Sequence, residues 1–206
     1  NPERFTVRLG EWNITGDPDS QGDLHAPPVQ DIQVAQIIVH NGTPVKNAPR
    51  MEIPDIALIR LKSPAKLNYF VQPVCLPYGA GMGNFSNEDA FAAGWGEKGE
   101  GGYPYAAVLL AVKQTVVDPA ECWETHHVNY NLGHMCAGGE EGMGICGGDS
   151  GGPLLWKGSF EPNISSRNYV LGITSLSISQ CGTKGVPAVY QRITFFMKWI
   201  LDNMRA

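Results

Sequence analysis

Glycine and proline interrupt this chain so often that long regular elements have little room. Its 206 residues include 25 Gly and 15 Pro. The stretches between these breakers are short and rich in β-branched residues, which predicts many short strands joined by turns. Phe5–Leu9, Ile32–His40, Ile56–Leu61, Ala107–Val117, Gly152–Trp156 and Tyr169–Ser175 read this way. Gly16–Pro28, Gly96–Pro104 and Ser159–Asn168 are polar and breaker-rich, and read as surface loops. Only the C-terminus reads clearly as helix. There Phe196, Trp199, Ile200 and Met204 recur at i, i+3, i+4 and i+8, with Thr194 placed to cap the start. The length suits a single all-β domain.

Charge and composition exclude several functions. The formal net charge is −5 and no basic block stands out, which argues against a nucleic-acid partner. No apolar run reaches the roughly 18 residues of a membrane span. Four triplets match the N-glycosylation pattern: Asn13-Ile14-Thr15, Asn41-Gly42-Thr43, Asn84-Phe85-Ser86 and Asn163-Ile164-Ser165. Together they favour a secretory route. Five cysteines is an odd count, and no Cys-x-x-Cys pair suggests zinc.

The segment Gly147-Gly148-Asp149-Ser150-Gly151-Gly152-Pro153-Leu154 carries the chemistry. A serine among glycines can sit on a sharp turn, with backbone N–H groups aimed at the same point. Acyl transfer needs that combination: a nucleophile, and donors for the oxyanion that develops as it attacks.

This segment resembles the nucleophile motif of the chymotrypsin-like (trypsin-fold) serine proteases. Pro54-Asp55-Ile56-Ala57-Leu58-Ile59-Arg60-Leu61 resembles the stretch that carries the family's triad aspartate. Val74-Cys75-Leu76-Pro77, Ala93-Gly94-Trp95-Gly96, Met135-Cys136-Ala137-Gly138 and Val186-Pro187-Ala188-Val189-Tyr190 follow in the family's order. The resemblance runs from about Phe5 to the last residues. Val7-Arg8-Leu9-Gly10-Glu11-Trp12, Ala26-Pro27-Pro28-Val29-Gln30-Asp31-Ile32 and Cys181-Gly182-Thr183-Lys184-Gly185-Val186-Pro187 are similar to the clip-domain proteases of arthropods. Those are secreted zymogens of immune and developmental cascades.

The resemblance implies two antiparallel β-barrels with a C-terminal helix, the first barrel lacking its N-terminal segment in this chain. It implies Ser150 as nucleophile, the N–H groups of Gly148 and Ser150 as oxyanion hole, and Asp55 as the carboxylate that orients the base. Asp149 corresponds to the partner of the amine released on zymogen cleavage. The implied disulfides are Cys122–Cys136 and Cys146–Cys181, with Cys75 left to bond an N-terminal light chain. Ala90 and Trp156 stand where many relatives place a further disulfide, and Ser20 and the Leu24-His25 step stand near another. The implied partners are protein substrates, an upstream activating protease and a serpin inhibitor. No cofactor is implied except calcium, which the equivalent of the Asp17–Gln30 loop binds in some relatives. Asp17, Asp19 and Asp23 offer oxygens there.

Several positions depart from the family pattern. Pro54 replaces an asparagine. None of His25, His40, His126, His127 and His134 stands in the Ala-Ala-His-Cys context of the catalytic base. By the resemblance that histidine belongs upstream of Asn1, so residues 1–206 alone are expected to be inactive. Gly144 stands where trypsin-like members carry the aspartate of the primary pocket. Its walls map to Ser175, Leu176, Ser177 and Ala188, where relatives more often have tryptophan at 176 and glycine at 177 and 188. Two functions therefore compete, a secreted serine endopeptidase and a non-catalytic homologue acting as a cascade cofactor. A metal hydrolase built on His126, His127 and His134 is disfavoured, because the spacing suits no common ligand motif.

Overall fold

The computed structural model describes residues 1–42, 54–79, 83–99, 104–126, 133–160, 165–176 and 180–204. A short 3-10 turn at Pro2–Arg4 leads into β1 (Thr6–Leu9). Then follow β2 (Ser20–Gln21), β3 (Leu24–His25), β4 (Gln30–Val39), β5 (Ala57–Leu61) and β6 (Asp89–Gly94). The second half holds β7 (Leu110–Thr115), α1 (Pro119–His126), β8 (His134–Ala137), β9 (Pro153–Gly158), β10 (Arg167–Leu176), β11 (Ala188–Arg192) and α2 (Ile193–Asn203).

Antiparallel pairing joins these strands into a six-stranded curled sheet of order β7-β6-β9-β10-β11-β8 and a three-stranded sheet of order β1-β4-β5. The six-stranded sheet closes around Ala90, Ala92, Met135, Leu154, Leu171 and Tyr190, all nearly inaccessible to solvent. The three-stranded sheet buries Ile32 and Val34 but leaves Ile37, Val39 and Ile59 exposed. Among the described residues, then, one barrel is well formed and the other is represented by three strands.

Most expected strands appear, with ends shifted by a few residues. β6, β8 and β11 do not stand out as strands in the sequence, yet all three belong to the larger sheet. The Gly16–Pro28 loop contains the β2–β3 hairpin, whose Ser20 and His25 are register partners joined by a side-chain hydrogen bond of 2.9 Å. A second helix, α1, joins the expected one. Two details of α2 are corrected. Thr194 lies inside the helix, whose N-cap position is Arg192 without a side-chain cap bond. Met204 lies just past its end and is exposed, while Ile193, Phe196, Met197 and Ile200 form the buried stripe. That stripe packs with Val170 of β10 and with Ile56. Burying Ile56 there draws Asp55 toward β10, which positions the site described next.

Candidate active site

The turn that bears Ser150 is fastened on both sides. Gly151 N–H donates to Thr174 O at 2.9 Å and Thr174 N–H donates to Gly152 O at 2.8 Å, which ties the turn to β10. On the other flank Glu97 N–H donates to Gly147 O at 2.9 Å. Gly148 and Gly151 have φ of +95° and +82°, a left-handed conformation in which a side chain is strained. The Ser150 side chain is exposed. Neither the Gly148 nor the Ser150 N–H finds an acceptor among the described residues.

Asp55 is brought to the same stretch of β10. The Ser175 hydroxyl donates to Asp55 Oδ2 at 2.8 Å. Ser175 is the residue after Thr174, so Asp55 and the Ser150 turn are anchored at adjacent positions of one strand. Behind Ser175, the buried Gln191 amide donates to the same hydroxyl oxygen at 3.4 Å. Spacing in the sequence gives no sign of this contact, since Asp55 and Ser175 are 120 residues apart.

The half-buried Asp149 carboxylate is held by two backbone N–H groups. Its Oδ1 accepts Gly96 N–H at 2.8 Å and its Oδ2 accepts Cys146 N–H at 2.9 Å. No cation from the described residues pairs with it. Its carboxylate lines a cavity of about 280 Å³ together with Glu97, Lys98, Gly144, Cys146 and Cys181. Burial and the charge of Asp149 hold the Tyr190 phenol in its protonated form well above the usual pH range.

The described pocket residues come from β10, β11 and the turn before Cys146. Gly144 faces the cavity beside Asp149, which Ser175, Leu176 and Ala188 do not line. Gly144 has no room for a side chain, because a Cβ there would lie 2.5 Å from Gly182 N. Leu176 packs with the Cys122, Cys136 and Val189 cluster. Ala188 is buried in β11. Ser177 and His127 lie outside the described residues, as do parts of the Asn41 and Asn163 triplets.

Cys122 and Cys136 are bonded, with Cα atoms 5.8 Å apart, and so are Cys146 and Cys181, at 5.2 Å. Cys75 is half-buried and carries no disulfide. In the loop considered for calcium, Asp19 is buried and accepts the N–H groups of Trp12 at 2.7 Å and Asn13 at 3.2 Å. Asp17 accepts Val29 N–H at 3.0 Å. Both carboxylates thus serve the backbone. No group of three or more His, Cys, Asp or Glu among the described residues is arranged to hold a metal.

The described histidines lie on regular elements or against aromatic rings. His25 is on β3, His126 ends α1 and His134 is on β8. His40 lies edge-on to Phe196 and Trp199, with centroids 5.1 and 4.9 Å away. His126 bonds Pro187 O through Nε2 at 2.9 Å, so that nitrogen carries a proton. Burial lowers its pKa below the ordinary 6.5, and the Pro187 carbonyl opposes this in part. Burial lowers that of His134 too, against the charge of Asp55. The unfolded chain therefore binds protons more readily than the folded one as pH falls through about 6.5, and stability declines until the folded-state pKa values are passed. Thermal melts of the full-length protein from pH 7.5 to 5 are expected to show this decline. It is expected to shrink in His126→Gln, whose amide can still donate to Pro187; an unchanged slope would remove His126 as a cause.

A family model described as Trypsin matches residues 2–200. The chain belongs to the trypsin family. This trypsin-family chain is 38% identical to the CLIP domain-containing serine protease HP8 of Bombyx mori over 204 residues, which covers 96% of the chain and 53% of that protein. It is 36% identical to Melanization protease 1 of Drosophila melanogaster (97% of the chain, 51% of that protein). It is also 36% identical to Spaetzle-processing enzyme of the same organism (97% and 50%). The chain thus spans about half the length of these relatives. Among solved structures, neuropsin, a serine protease expressed in the limbic system of mouse brain, superposes with a TM-score of 0.77 at 29% identity, over 97% of this chain and 79% of that one. The trypsin-like fold is therefore that of the chain, and no helix among its described residues is long and apolar enough to cross a membrane.

Proposed function

We propose that this chain is the major part of the catalytic domain of a secreted serine endopeptidase working in an extracellular zymogen cascade. One observation carries the reading. An exposed hydroxyl on a tightly fastened turn stands beside two backbone N–H groups that have no acceptor among the described residues, next to a strand that also anchors Asp55. In this reading Ser150 Oγ attacks the peptide carbonyl and the amine leaves. Water then releases the acyl group, and the Gly148 and Ser150 N–H groups hold the oxyanion at each addition. Asp55 orients a histidine base that none of the described histidines supplies. The half-length match to the relatives leaves room for that base elsewhere in a longer protein.

Asp149, in its cavity, is assigned to the amine released by an upstream activating protease. Cys75 is assigned to a disulfide with a light chain. Protein substrates and a serpin inhibitor complete the set of partners. Gly144 brings no fixed negative charge, and Ser177 and Ala188 add side chains where relatives more often have glycine, so cleavage is expected after small or medium apolar residues.

The second reading, a non-catalytic cofactor, draws support from the altered pocket residues. A fluorophosphonate probe on the full-length activated protein separates the two. Labelling of Ser150 supports the endopeptidase, and no labelling makes the cofactor reading the better one. A peptide-library profile tests the pocket, and cleavage strictly after Arg or Lys would overturn the assigned preference.

A further inference from the structure

A glutamine stands in the core behind the site, where an apolar side chain of the same length would pack. Gln191 lies in β11 and is 1% exposed. Its Oε1 is buried and meets no hydrogen-bond partner among the described residues. An orphaned buried acceptor destabilises a fold. The other end of the same amide is engaged, because Nε2 donates to Ser175 Oγ at 3.4 Å.

Strand geometry brings the two residues together. Gln191 is the register partner of Ile173, and the register shifts between Thr174 and Leu176. Ser175 sits at that shift, two positions past Ile173 and so diagonally across from Gln191 on one face of the sheet. Such shifts re-aim side chains. Here the Ser175 hydroxyl reaches Asp55 Oδ2 at 2.8 Å.

A serine hydroxyl has one proton and two lone pairs. An amide NH2 group only donates, so Ser175 Oγ accepts from Gln191 and its single proton is left for Asp55. Turned end for end, the amide would offer Oε1 and draw that proton away from the carboxylate. Nothing else among the described residues hydrogen-bonds the Asp55 carboxylate. Its orientation is therefore set through Ser175, and the direction of the Ser175 bond is set by Gln191. Donation into Ser175 also polarises the hydroxyl and strengthens its bond to Asp55.

We infer that Gln191 is a positioning residue for the reaction: it commits the Ser175 proton to Asp55, and thereby steadies the carboxylate that orients the base. The inference rests on the endopeptidase reading. It adds a residue too deeply buried to touch substrate.

The test is a double-mutant cycle on the full-length activated protein, with Gln191→Met, Ser175→Ala and the pair measured on a peptide substrate. Methionine keeps the length of the side chain and removes both the donor and the orphaned acceptor. Gln191→Met is expected to lower kcat roughly two- to tenfold with KM little changed, the size of one lost hydrogen bond. Its Tm is expected to hold or rise, because a buried orphan is gone. The acid limb of kcat/KM against pH reports the base of the free enzyme. That limb is expected to move to higher pH, because a carboxylate with a weaker hydrogen bond keeps more charge for a protonated histidine. In the Ser175→Ala background, Gln191→Met is expected to change neither kcat nor the limb. Gln191→Glu is the second variant. A carboxyl donates only while protonated, so turnover is expected to fall with rising pH where the parent is level.

A lower Tm with an unmoved limb would make Gln191 purely structural and overturn the inference. So would unchanged kinetics in Gln191→Met, or losses that add in the double variant. Should Gln191→Met not fold, a level pH profile in Gln191→Glu would overturn it. Fluorophosphonate labelling of the unsubstituted protein separates the two levels. An unlabelled parent overturns the endopeptidase and the role of Gln191 with it, whereas a labelled parent leaves the kinetics to decide on Gln191 alone.

Discussion

Ser150→Ala in the full-length activated protein is expected to lower kcat/KM by about 10⁴- to 10⁶-fold and to abolish fluorophosphonate labelling. The size follows from losing the covalent route altogether. What remains is binding plus the two N–H donors of Gly148 and Ser150, which can still polarise a carbonyl but have no nucleophile to assist. Asp55→Asn is expected to cost about 10⁴-fold by a different route. Its side chain would keep a partner in the Ser175 hydroxyl, now 2.8 Å from Asp55 Oδ2. An amide, however, presents the wrong pattern of donors to a histidine and no charge to stabilise its protonated form. Steady-state kinetics on a peptide substrate checks both. Loss in Ser150→Ala with KM unchanged supports the assignment, and near-normal turnover in either variant would remove that residue from the mechanism.

Gly96→Ala is the second large effect, and it reaches the site without touching substrate. A Cβ at residue 96 would lie 2.5 Å from the Asp149 carboxyl carbon, and one at residue 94 would lie 2.2 Å from its Oδ1. Asp149 cannot easily step aside, because the N–H groups of Gly96 and Cys146 hold its two oxygens. The carboxylate is forced to move, and Asp149 is flanked in sequence by Gly148 and Ser150, whose N–H groups are assigned to the oxyanion in the proposed function. Misplacing one such donor costs about 10²- to 10³-fold in kcat. The expected result is that loss in activity with a comparatively small fall in Tm. Gly16→Ala is the control, since a Cβ there meets nothing within 4 Å. A Gly96→Ala enzyme as active as the control would mean that the turn holds its shape independently of Asp149.

The parts of this fold that the sequence makes legible are those where burial on one side writes itself as a pattern. β4 alternates through the buried Ile32 and Val34, and α2 repeats apolar residues at helical spacing. β6 is different. Asp-Ala-Phe-Ala-Ala-Gly has little β-propensity, and its two fully buried positions are alanines. It is a strand because β7 and β9 pair with it on both sides. α1 starts at a proline and carries no clear apolar face, and its Cys122 is tied to β8. At the site, the glycine-rich turn and Asp55 are visible as motifs. The Ser175 contact to Asp55 is not, because 120 residues of chain separate the two.

The positions where many family members carry an extra disulfide, Ala90 and Trp156, are register partners on β6 and β9. Here the seam is held by rings. Trp156 packs against Phe85, Phe160 and Tyr169 at centroid distances of 5.5, 5.0 and 5.7 Å, and its indole N–H donates to Glu88. Dispersion and hydrogen bonding are indifferent to thiol chemistry. A reducing milieu would therefore leave the barrel seam standing while loosening the Cys146–Cys181 link beside Ser150. The scaffold and the chemistry it carries answer to different surroundings: heat threatens the first, and electrons the second.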